Sequence, residues 1–392
     1  MEPIEKDEIG ILPPGALGVA YFQHLSQRVA DRPPKALSLW VREGSASGDA
    51  FRQDPHLHIR GENGVRHTLD IRGRIFSGIA ACAGKRPLPA VFLVATLPDQ
   101  IIGVLKDAIA WLESIWSADQ WLPPAPPPFP ALVLTANGIY FQRIRQVFLE
   151  LLEESTLLGR LPDLWPEAMP KLVGHLVRGV TIQTGLREEG PGSCVYRPGP
   201  PGLTRLAGGS AAIRQALAKE LTAGDLRFVD LGDISPTRVE FDKAIINLSG
   251  NLLGILAATE QGGAPRPLTI AEILAHPVSS EIPRLVGTVL RIGQSVRAYP
   301  RDYTLDAAMA NLHDIHRHAA QHCPSSVQRL VSDFQCGRLR RVIPPTEQWL
   351  LDPLLKYARA ADLAPERIYL ENLARTLLKR FGQLARMTRN ES

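Results

Sequence analysis

The sequence predicts an α/β domain followed by an all-helical domain, because its apolar pattern changes near residue 235. Short apolar segments of strand length alternate with amphipathic helical segments over residues 8–235, as in a parallel sheet covered by helices. Beyond Ser235 the apolar residues follow the period of a helix almost without interruption. The length of 392 residues also suits two separate cores. We therefore predict domains over residues 1–235 and 236–392.

In the first half of the α/β region, continuous apolar runs predict buried strands, and periodic segments predict the helices behind them. A hairpin is expected around Asn63-Gly64, since this pair tolerates positive φ. The proline-rich stretch 122–130 predicts a stiff connector. The predicted strands are residues 8–12, 36–42, 56–59, 66–71, 90–96 and 131–135, and the predicted helices are residues 19–30, 98–114 and 139–154.

The remainder of the α/β region is rich in glycine and proline, which predicts short strands between turns. A long helix is expected to begin near Pro236, at the hinge between the two domains. The predicted strands of this part are residues 179–185, 193–196, 204–206 and 227–229.

Composition narrows the classes of function. Hydrophobic residues make up 45% and charged residues 21% of the chain, and the net charge is +4, with the basic residues dispersed except in the tail. These values are ordinary for a globular protein and do not indicate nucleic-acid binding. No apolar run approaches the ~18 residues of a membrane helix. The acidic N-terminus is unlike a signal peptide, so a cytoplasmic protein is expected, with its four cysteines reduced.

Three polar residues, Lys243, Asn247 and Asn251, are spaced four residues apart in the long helix predicted after Pro236. Side chains at this spacing share one helix face, with a drift of about 40° per step. Polar groups in an apolar helix need hydrogen-bond partners. The partner is either a polar small molecule or a neighbouring helix. A face carrying a cation is expected to lie beside water or a ligand, here a cleft between the domains.

Near the N-terminus, an apolar strand leads through a turn into an amphipathic helix. Gly15 and Gly18 occupy the second and third glycine positions of a G-x-G-x-x-G dinucleotide-binding loop, and Pro13 occupies the first. The second glycine lets the backbone approach a pyrophosphate, and the third lets the helix pack closely against the strand. An ordinary strand–turn–helix unit explains the same pattern.

In this order, the loop and the polar triplet resemble the ketopantoate reductase (2-dehydropantoate 2-reductase) family. Pro14-Gly-Ala-Leu-Gly18 resembles the family's first loop, with Gly15, Ala16, Leu17 and Gly18 at the cofactor. Leu39–Arg42 and Thr135–Gly138 resemble the segments that place Arg42 and Asn137 on the cofactor, and Pro324–Val327 resembles the segment with the substrate-binding serine, Ser326. The resemblance implies a Rossmann-like domain followed by a helical domain of the 6-phosphogluconate-dehydrogenase C-terminal type.

The resemblance also implies an activity, namely NADPH-dependent reduction of a small 2-oxo acid or related ketone. Lys243 would act as the general acid, Asn247 and Asn251 would bind the substrate, and Arg42 would contact the 2′-phosphate. No metal, nucleic acid or membrane is implied, and a homodimer is possible. Two of these residues have ordinary alternatives, a solvated cation at a strand end for Arg42 and a helix N-cap for Ser326.

Three departures from the family pattern support a second function class, a non-catalytic ligand-binding descendant of the same fold. Pro13 replaces a glycine, and Pro98 stands where the family has a lysine on the cofactor side. The family's acidic residue after the Ser-Ser segment has no clear counterpart, since Glu347 lies too far along the chain to align well.

Four histidines lie close together, His313, His316, His318 and His322. The last two are spaced i, i+4, which on one helix face could bind zinc. Without a His-Glu-x-x-His motif or cysteines at finger spacing, surface histidines on an amphipathic helix are the favoured interpretation.

Overall fold

The computed structural model describes residues 8–27, 36–61, 64–83, 85–115, 129–160, 165–190, 193–260 and 263–390. The chain divides into two compact units. The first comprises residues 1–136 and 141–236, and the second comprises residues 137–140 and 237–392. The first unit is an α/β domain and the second is all-helical, so the predicted fold class is confirmed.

Within the described residues, the strands are β1 Glu8–Leu12, β2 Ala36–Val41, β3 His56–Arg60, β4 Arg66–Asp70, β5 Ile75–Ser77, β6 Val91–Val94, β7 Ala131–Leu134, β8 Leu176–Thr181, β9 Gly185–Gly190, β10 Ser193–Pro198, β11 Leu203–Ala207 and β12 Arg227–Asp230. The α-helices are α1 Ala16–Ser26, α2 Ala46–Gln53, α3 Pro98–Ile115, α4 Phe141–Glu154, α5 Thr156–Arg160, α6 Trp165–Gly174, α7 Ala211–Leu221, α8 Pro236–Asn247, α9 Leu253–Ala258, α10 Ile270–Ala275, α11 Ile282–Ser295, α12 Leu305–His318, α13 Ser325–Gln335, α14 Pro345–Ala360 and α15 Ala364–Asn390.

The main sheet of the first unit has the strand order β12-β11-β8-β7-β6-β1-β2-β5. Six neighbouring strands of this sheet are parallel to one another, namely β5, β2, β1, β6, β7 and β8. Strand β11 pairs antiparallel with β8. The central strands β1, β6 and β7 are buried along nearly their whole length, which explains their continuous apolar sequences. Because parallel strands end at the same edge, the turns after β1, β6 and β7 lie together at the carboxyl edge of this sheet.

A second sheet, with the order β4-β3-β10-β9, accounts for the predicted hairpin. Strands β3 and β4 pair antiparallel, and Gly64 in their turn has φ +78°. The predicted strand over residues 179–185 has the wrong bounds, since only residues 179–181 of it belong to β8. Strand β8 ends at Thr181, whose hydroxyl oxygen accepts a 2.9 Å bond from the Gln183 amide, and β9 begins only at Gly185. This side-chain bond turns the backbone out of the sheet.

The predicted first helix is displaced, since α1 begins at Ala16 rather than residue 19 and ends at Ser26. Residues 28–30 of that prediction, and residues 122–128 of the proline-rich connector, lie outside the described residues. Helices α2, α6 and α7 were not predicted. Their short amphipathic segments lie between glycine- and proline-rich turns, which dominate the local pattern.

The second unit contains no strand within residues 237–260 and 263–390. Its core is formed by apolar side chains from α8 through α15, including Phe241, Leu285 and Leu370. The apolar side of α15 packs into this core through Leu377 and Phe381. Among the described residues, none of the helices is long and apolar enough to cross a bilayer.

Candidate functional site

The glycine loop joins β1 to α1 at the carboxyl edge of the main sheet. Gly15 is the N-cap of α1, and no side chain of the described residues caps this helix. A Cβ atom added to Gly15 would approach only the Pro13 Cγ, at 4.0 Å, whereas one added to Gly18 would lie 2.1 Å from the Pro13 carbonyl oxygen. The two glycines therefore differ, because Gly15 leaves open space over the helix N-terminus while Gly18 allows close packing.

These are the separate roles that the second and third glycines have in a dinucleotide loop. The first glycine position is occupied by Pro13, which has no amide hydrogen to offer to a ligand. An uncapped helix N-terminus with room above it is suited to an anionic group such as a pyrophosphate. Ala16 and Leu17 form the first turn of α1, so their amides are among those that a helix leaves unpaired.

The turn after β6 has no side-chain cation, in agreement with the departure noted in the sequence. Pro98 is buried as the first residue of α3, a position that suits proline because its missing amide is not needed there. The Thr96 hydroxyl donates a 2.7 Å bond to the Gln100 side chain within the same turn. This turn can therefore offer hydroxyl and amide groups to a cofactor but no positive charge.

Arg42 directly follows β2 and is exposed. Its carbonyl oxygen accepts bonds from the Ser45 amide at 3.2 Å and the Ser45 hydroxyl at 2.7 Å. Ser45 is also the N-cap of α2. The segment thus combines an exposed guanidinium with the nearby N-terminus of a helix, and both favour a bound anion.

The polar triplet lies in the second unit, on a helix that is not continuous α-helix as predicted. Residues Leu248–Leu252 form a π-helical segment between α8 and α9, in which the Leu253 amide donates to the Leu248 carbonyl oxygen. A π turn uses more residues than an α turn, so the rotation per residue is smaller. Asn251 therefore lies closer to the line of Lys243 than the drift of about 40° per step in an α-helix would place it.

The three side chains differ in their surroundings. Lys243 is half-buried. Partial burial of the His322 imidazole, together with the nearby charge of Lys243, lowers the pKa of His322. Asn247 and Asn251 are only 5% and 8% exposed. The Nδ2 atom of Asn247 is buried and has no hydrogen-bond partner within the described residues. For Asn247, this argues against the alternative in which its side chain serves only to bond a neighbouring helix.

Ser326 is buried in the first turn of α13, whose N-cap is Pro324. The alternative role of Ser326 as the N-cap is therefore wrong. Glu347, which the sequence comparison could not align, lies in the first turn of α14 near the Ser326 hydroxyl. Helices α13 and α14 both contact the π segment, which brings Ser326 and Glu347 into the neighbourhood of the asparagines.

Glu347 is 1% exposed, and neither carboxylate oxygen has a hydrogen-bond partner among the described residues. Burial raises the pKa of Glu347, while the Ser326 hydroxyl and the Arg329 charge act in the opposite direction. An acidic residue early in a helix is usually a surface group that favours the helix dipole. For that reason the sequence offered no signal that this carboxyl is buried.

Asn137 lies in the turn after β7 and is half-buried. The next residue, Gly138, has φ +132°, and a Cβ atom there would lie 3.0 Å from Trp349 Cβ. Two bonds hold the end of this turn, from the Ile139 amide to the Trp349 carbonyl oxygen and from the Tyr140 amide to Glu240. The turn is thus fixed against α14 and α8, the helices that carry Glu347 and Lys243.

The four histidines do not come together as a group of potential metal ligands in the described part of the chain. Helix α12 ends at His318, so His322 does not share a helix face with it, and the described residues contain no group of three or more potential ligands. The prediction of surface histidines is wrong for His316, which is 3% exposed. All four cysteines are free thiols.

Comparison with solved structures identifies the fold. This chain is similar to D-mandelate dehydrogenase solved with NADH and anilino(oxo)acetate, at 15% identity over 96% of this chain and 99% of that chain, with a TM-score of 0.64. A ketopantoate reductase from Ralstonia eutropha JMP134 matches at 14% identity over 96% and 99%, with a TM-score of 0.56. A 2-dehydropantoate 2-reductase from Methylococcus capsulatus matches at 15% over 95% and 98%, with a TM-score of 0.55.

The chain has the ketopantoate reductase fold. At these identities the likeness concerns the fold alone, and at that level the resemblance predicted from the sequence is confirmed. No protein-family model and no curated protein sequence matches the chain.

Proposed function

We propose that this protein is an NADPH-dependent oxidoreductase that reduces the carbonyl group of a small 2-oxo acid or related ketone. The observation that carries the proposal is the buried Asn247 Nδ2, which has no hydrogen-bond partner in the described part of the chain and lies near Lys243 and Asn251 in sequence. A buried donor without a partner costs about 1–3 kcal/mol, and a polar substrate would remove that cost. The fold is shared with D-mandelate dehydrogenase, which was solved with NADH and an oxo acid derivative.

The first unit fits a dinucleotide. Gly15 leaves room above the N-terminus of α1, where a pyrophosphate would accept bonds from the first-turn amides. Arg42 would pair with a 2′-phosphate, which favours NADPH over NADH. Asn137 would contact the cofactor from the turn after β7. The cofactor, when bound, supplies the hydride.

The second unit supplies the groups that a ketone substrate needs. As hydride arrives, the carbonyl oxygen gains negative charge, and the Lys243 ammonium would stabilise this charge and donate the proton. Asn247 and Asn251 would bond the polar groups of the substrate. The Ser326 hydroxyl would donate to a substrate carboxylate, with Glu347 orienting that hydroxyl. Because burial raises the pKa of Glu347, its carboxyl carries less negative charge at a given pH than an exposed glutamate, which lessens its repulsion of an anionic substrate.

The second candidate is a ligand-binding protein of the same fold without turnover. Pro13 and Pro98 favour it, since they remove an amide donor and a cation from the turns where a cofactor would bind. Both candidates place a polar small molecule at Asn247. They differ in whether NADPH binds and reacts. Homodimer formation remains a prediction of the family resemblance.

The test is a titration of the protein with NADPH, followed by fluorescence, and then assays with a panel of aliphatic and aromatic 2-oxo acids. We expect NADPH to bind and to be oxidised by at least one member of the panel. Absence of NADPH binding at millimolar concentration would exclude the reductase. Binding without oxidation by any panel member, combined with binding of a 2-oxo acid by calorimetry, would favour the second candidate.

A further inference from the structure

Ser249 and His316 form a buried hydrogen-bonded pair beside the polar triplet, and neither has a role in the proposed reaction. Ser249 lies within the π segment, between Asn247 and Asn251, and is completely buried. Its hydroxyl donates to the Ile246 carbonyl oxygen at 3.1 Å, and its oxygen lies 3.3 Å from His316 Nε2 on α12. The pair therefore joins the π segment to a helix more than 60 residues later in the chain.

One arrangement of hydrogens satisfies both contacts. A serine hydroxyl has one hydrogen, which in this arrangement is donated to the Ile246 carbonyl oxygen. Nε2 of His316 then carries the hydrogen that it donates to the Ser249 oxygen, and Nδ1 is an acceptor. Nδ1 is buried and has no hydrogen-bond partner among the described residues. Burial lowers the pKa of His316 to about 4, with the His313 charge as a smaller cause, so the imidazole stays neutral at neutral pH.

The Ser249–His316 pair affects the geometry of the polar triplet because Ser249 lies inside the π segment. In a π segment the backbone bonds span one residue more than in an α-helix. The Ser249 hydroxyl bonds the Ile246 carbonyl oxygen, two residues before this segment. The π turn sets the rotation of Asn251 relative to Asn247 and Lys243. A Cβ at Gly254 would lie 2.8 Å from Ile273, so the helix packs closely against its neighbour there.

We propose that Ser249 and His316 are positioning residues that hold the π turn and thereby align Asn251 with Lys243 and Asn247. The relation to catalysis rests on the proposed reductase function, whereas the relation to the π turn does not. Neither side chain contacts the substrate in this proposal. Loss of either bond would let the segment return to α-helical hydrogen bonding, which would rotate Asn251 away from the line of Lys243.

The experiment compares Ser249→Ala and His316→Leu with His316→Gln, which keeps an N–H donor near the position of Nε2. His313→Ala serves as the matched control, since His313 is exposed on the same helix. We expect the KM for the 2-oxo acid to rise about tenfold in Ser249→Ala and His316→Leu. The NADPH Kd should be unchanged, and His316→Gln should restore most of the wild-type KM.

Crystal structures of the same variants give a readout that does not depend on activity. The π turn over residues 248–252 should be lost in Ser249→Ala and His316→Leu and kept in His316→Gln. Persistence of the π turn in the first two variants would overturn the proposal, as would an equal rise in KM for His313→Ala. If the wild-type protein shows no turnover, the proposed function fails, and the π turn in the variants then decides the inference by itself.

Discussion

The glycine loop of the first unit and the polar set of the second unit present binding groups in opposite ways. The loop offers main-chain amides, and its shape depends on which residues lack a Cβ atom or an amide hydrogen. The second unit offers side chains, of which the Asn247 amide nitrogen and both Glu347 carboxylate oxygens are buried without a hydrogen-bond partner among the described residues. In the first region a substitution at Gly18 therefore disturbs the packing of the fold, whereas one at Gly15 fills only the space above the helix. In the second region each buried polar group costs stability unless a ligand satisfies it.

The largest effect should come from the second region. Lys243→Ala is expected to lower kcat by about 10²–10⁴-fold, because the ammonium acts on charge that develops only in the reaction. NADPH affinity should change little. Steady-state kinetics and fluorescence titration measure the two quantities. Lys356→Ala is the control, since Lys356 is exposed on α14 of the same unit. A normal kcat in Lys243→Ala would assign this lysine a structural role.

The first region is tested by adding one methyl group at each of its two glycines. Gly18→Ala should destabilise the fold by about 3 kcal/mol, because the new Cβ would lie 2.1 Å from a main-chain oxygen. Gly15→Ala should keep the stability within about 1 kcal/mol but weaken NADPH binding at least tenfold, since the methyl group fills the space of the pyrophosphate. Thermal unfolding and NADPH titration of both variants separate the two outcomes. Wild-type NADPH affinity in Gly15→Ala would show that the loop is not a cofactor site.

Glu347→Gln should show how the buried Glu347 carboxyl changes the free energy of unfolding with pH. Its folded-state pKa is raised above the ordinary value of 4.5, so the native state holds this proton more tightly than the unfolded state. The contribution of Glu347 to stability is therefore lost as pH rises from about 4.5 through the folded-state pKa. The variant should become increasingly more stable than wild type over this interval, while its KM for the 2-oxo acid rises.

Urea unfolding of both proteins between about pH 5 and pH 8 measures this difference. The control is Asp352→Asn, an exposed carboxylate on the same helix, which should show no comparable trend. A difference that stays constant with pH would mean that Glu347 is not protonated more readily in the folded protein.

The smallest effect on cofactor binding is expected at Arg42, an exposed residue of the first unit. Arg42→Ala should weaken NADPH binding about tenfold through loss of a charge-assisted contact to the 2′-phosphate. NADH binding should be nearly unchanged, since NADH lacks that group. Arg145→Ala, an exposed arginine on α4, should alter neither affinity. Equal weakening of both cofactors in Arg42→Ala would point to a role in the turn to α2.

Much of the fold was predictable because it rests on local patterns. The strands β1, β6 and β7 are continuous apolar runs, and the change to helix after Ser235 extends over the rest of the chain. Predictions failed where a single contact decided the backbone path. Strand β8 ends at Thr181, four residues before the predicted end at Gly185, and there the Thr181 hydroxyl accepts a bond from the Gln183 amide. The periodicity of the sequence does not record such a bond.

The residues of the candidate site also divide into those that the sequence predicted and those that only the structure brought together. The sequence by itself determined the spacing of Lys243, Asn247 and Asn251 and the two glycines of the loop, because residues close in the chain share one helix or one turn. Only the tertiary structure decided that Glu347 lies against Ser326 and that His316 bonds Ser249 within a π turn. These contacts join helices that are distant in the chain, and they depend on how the helices pack around a common core.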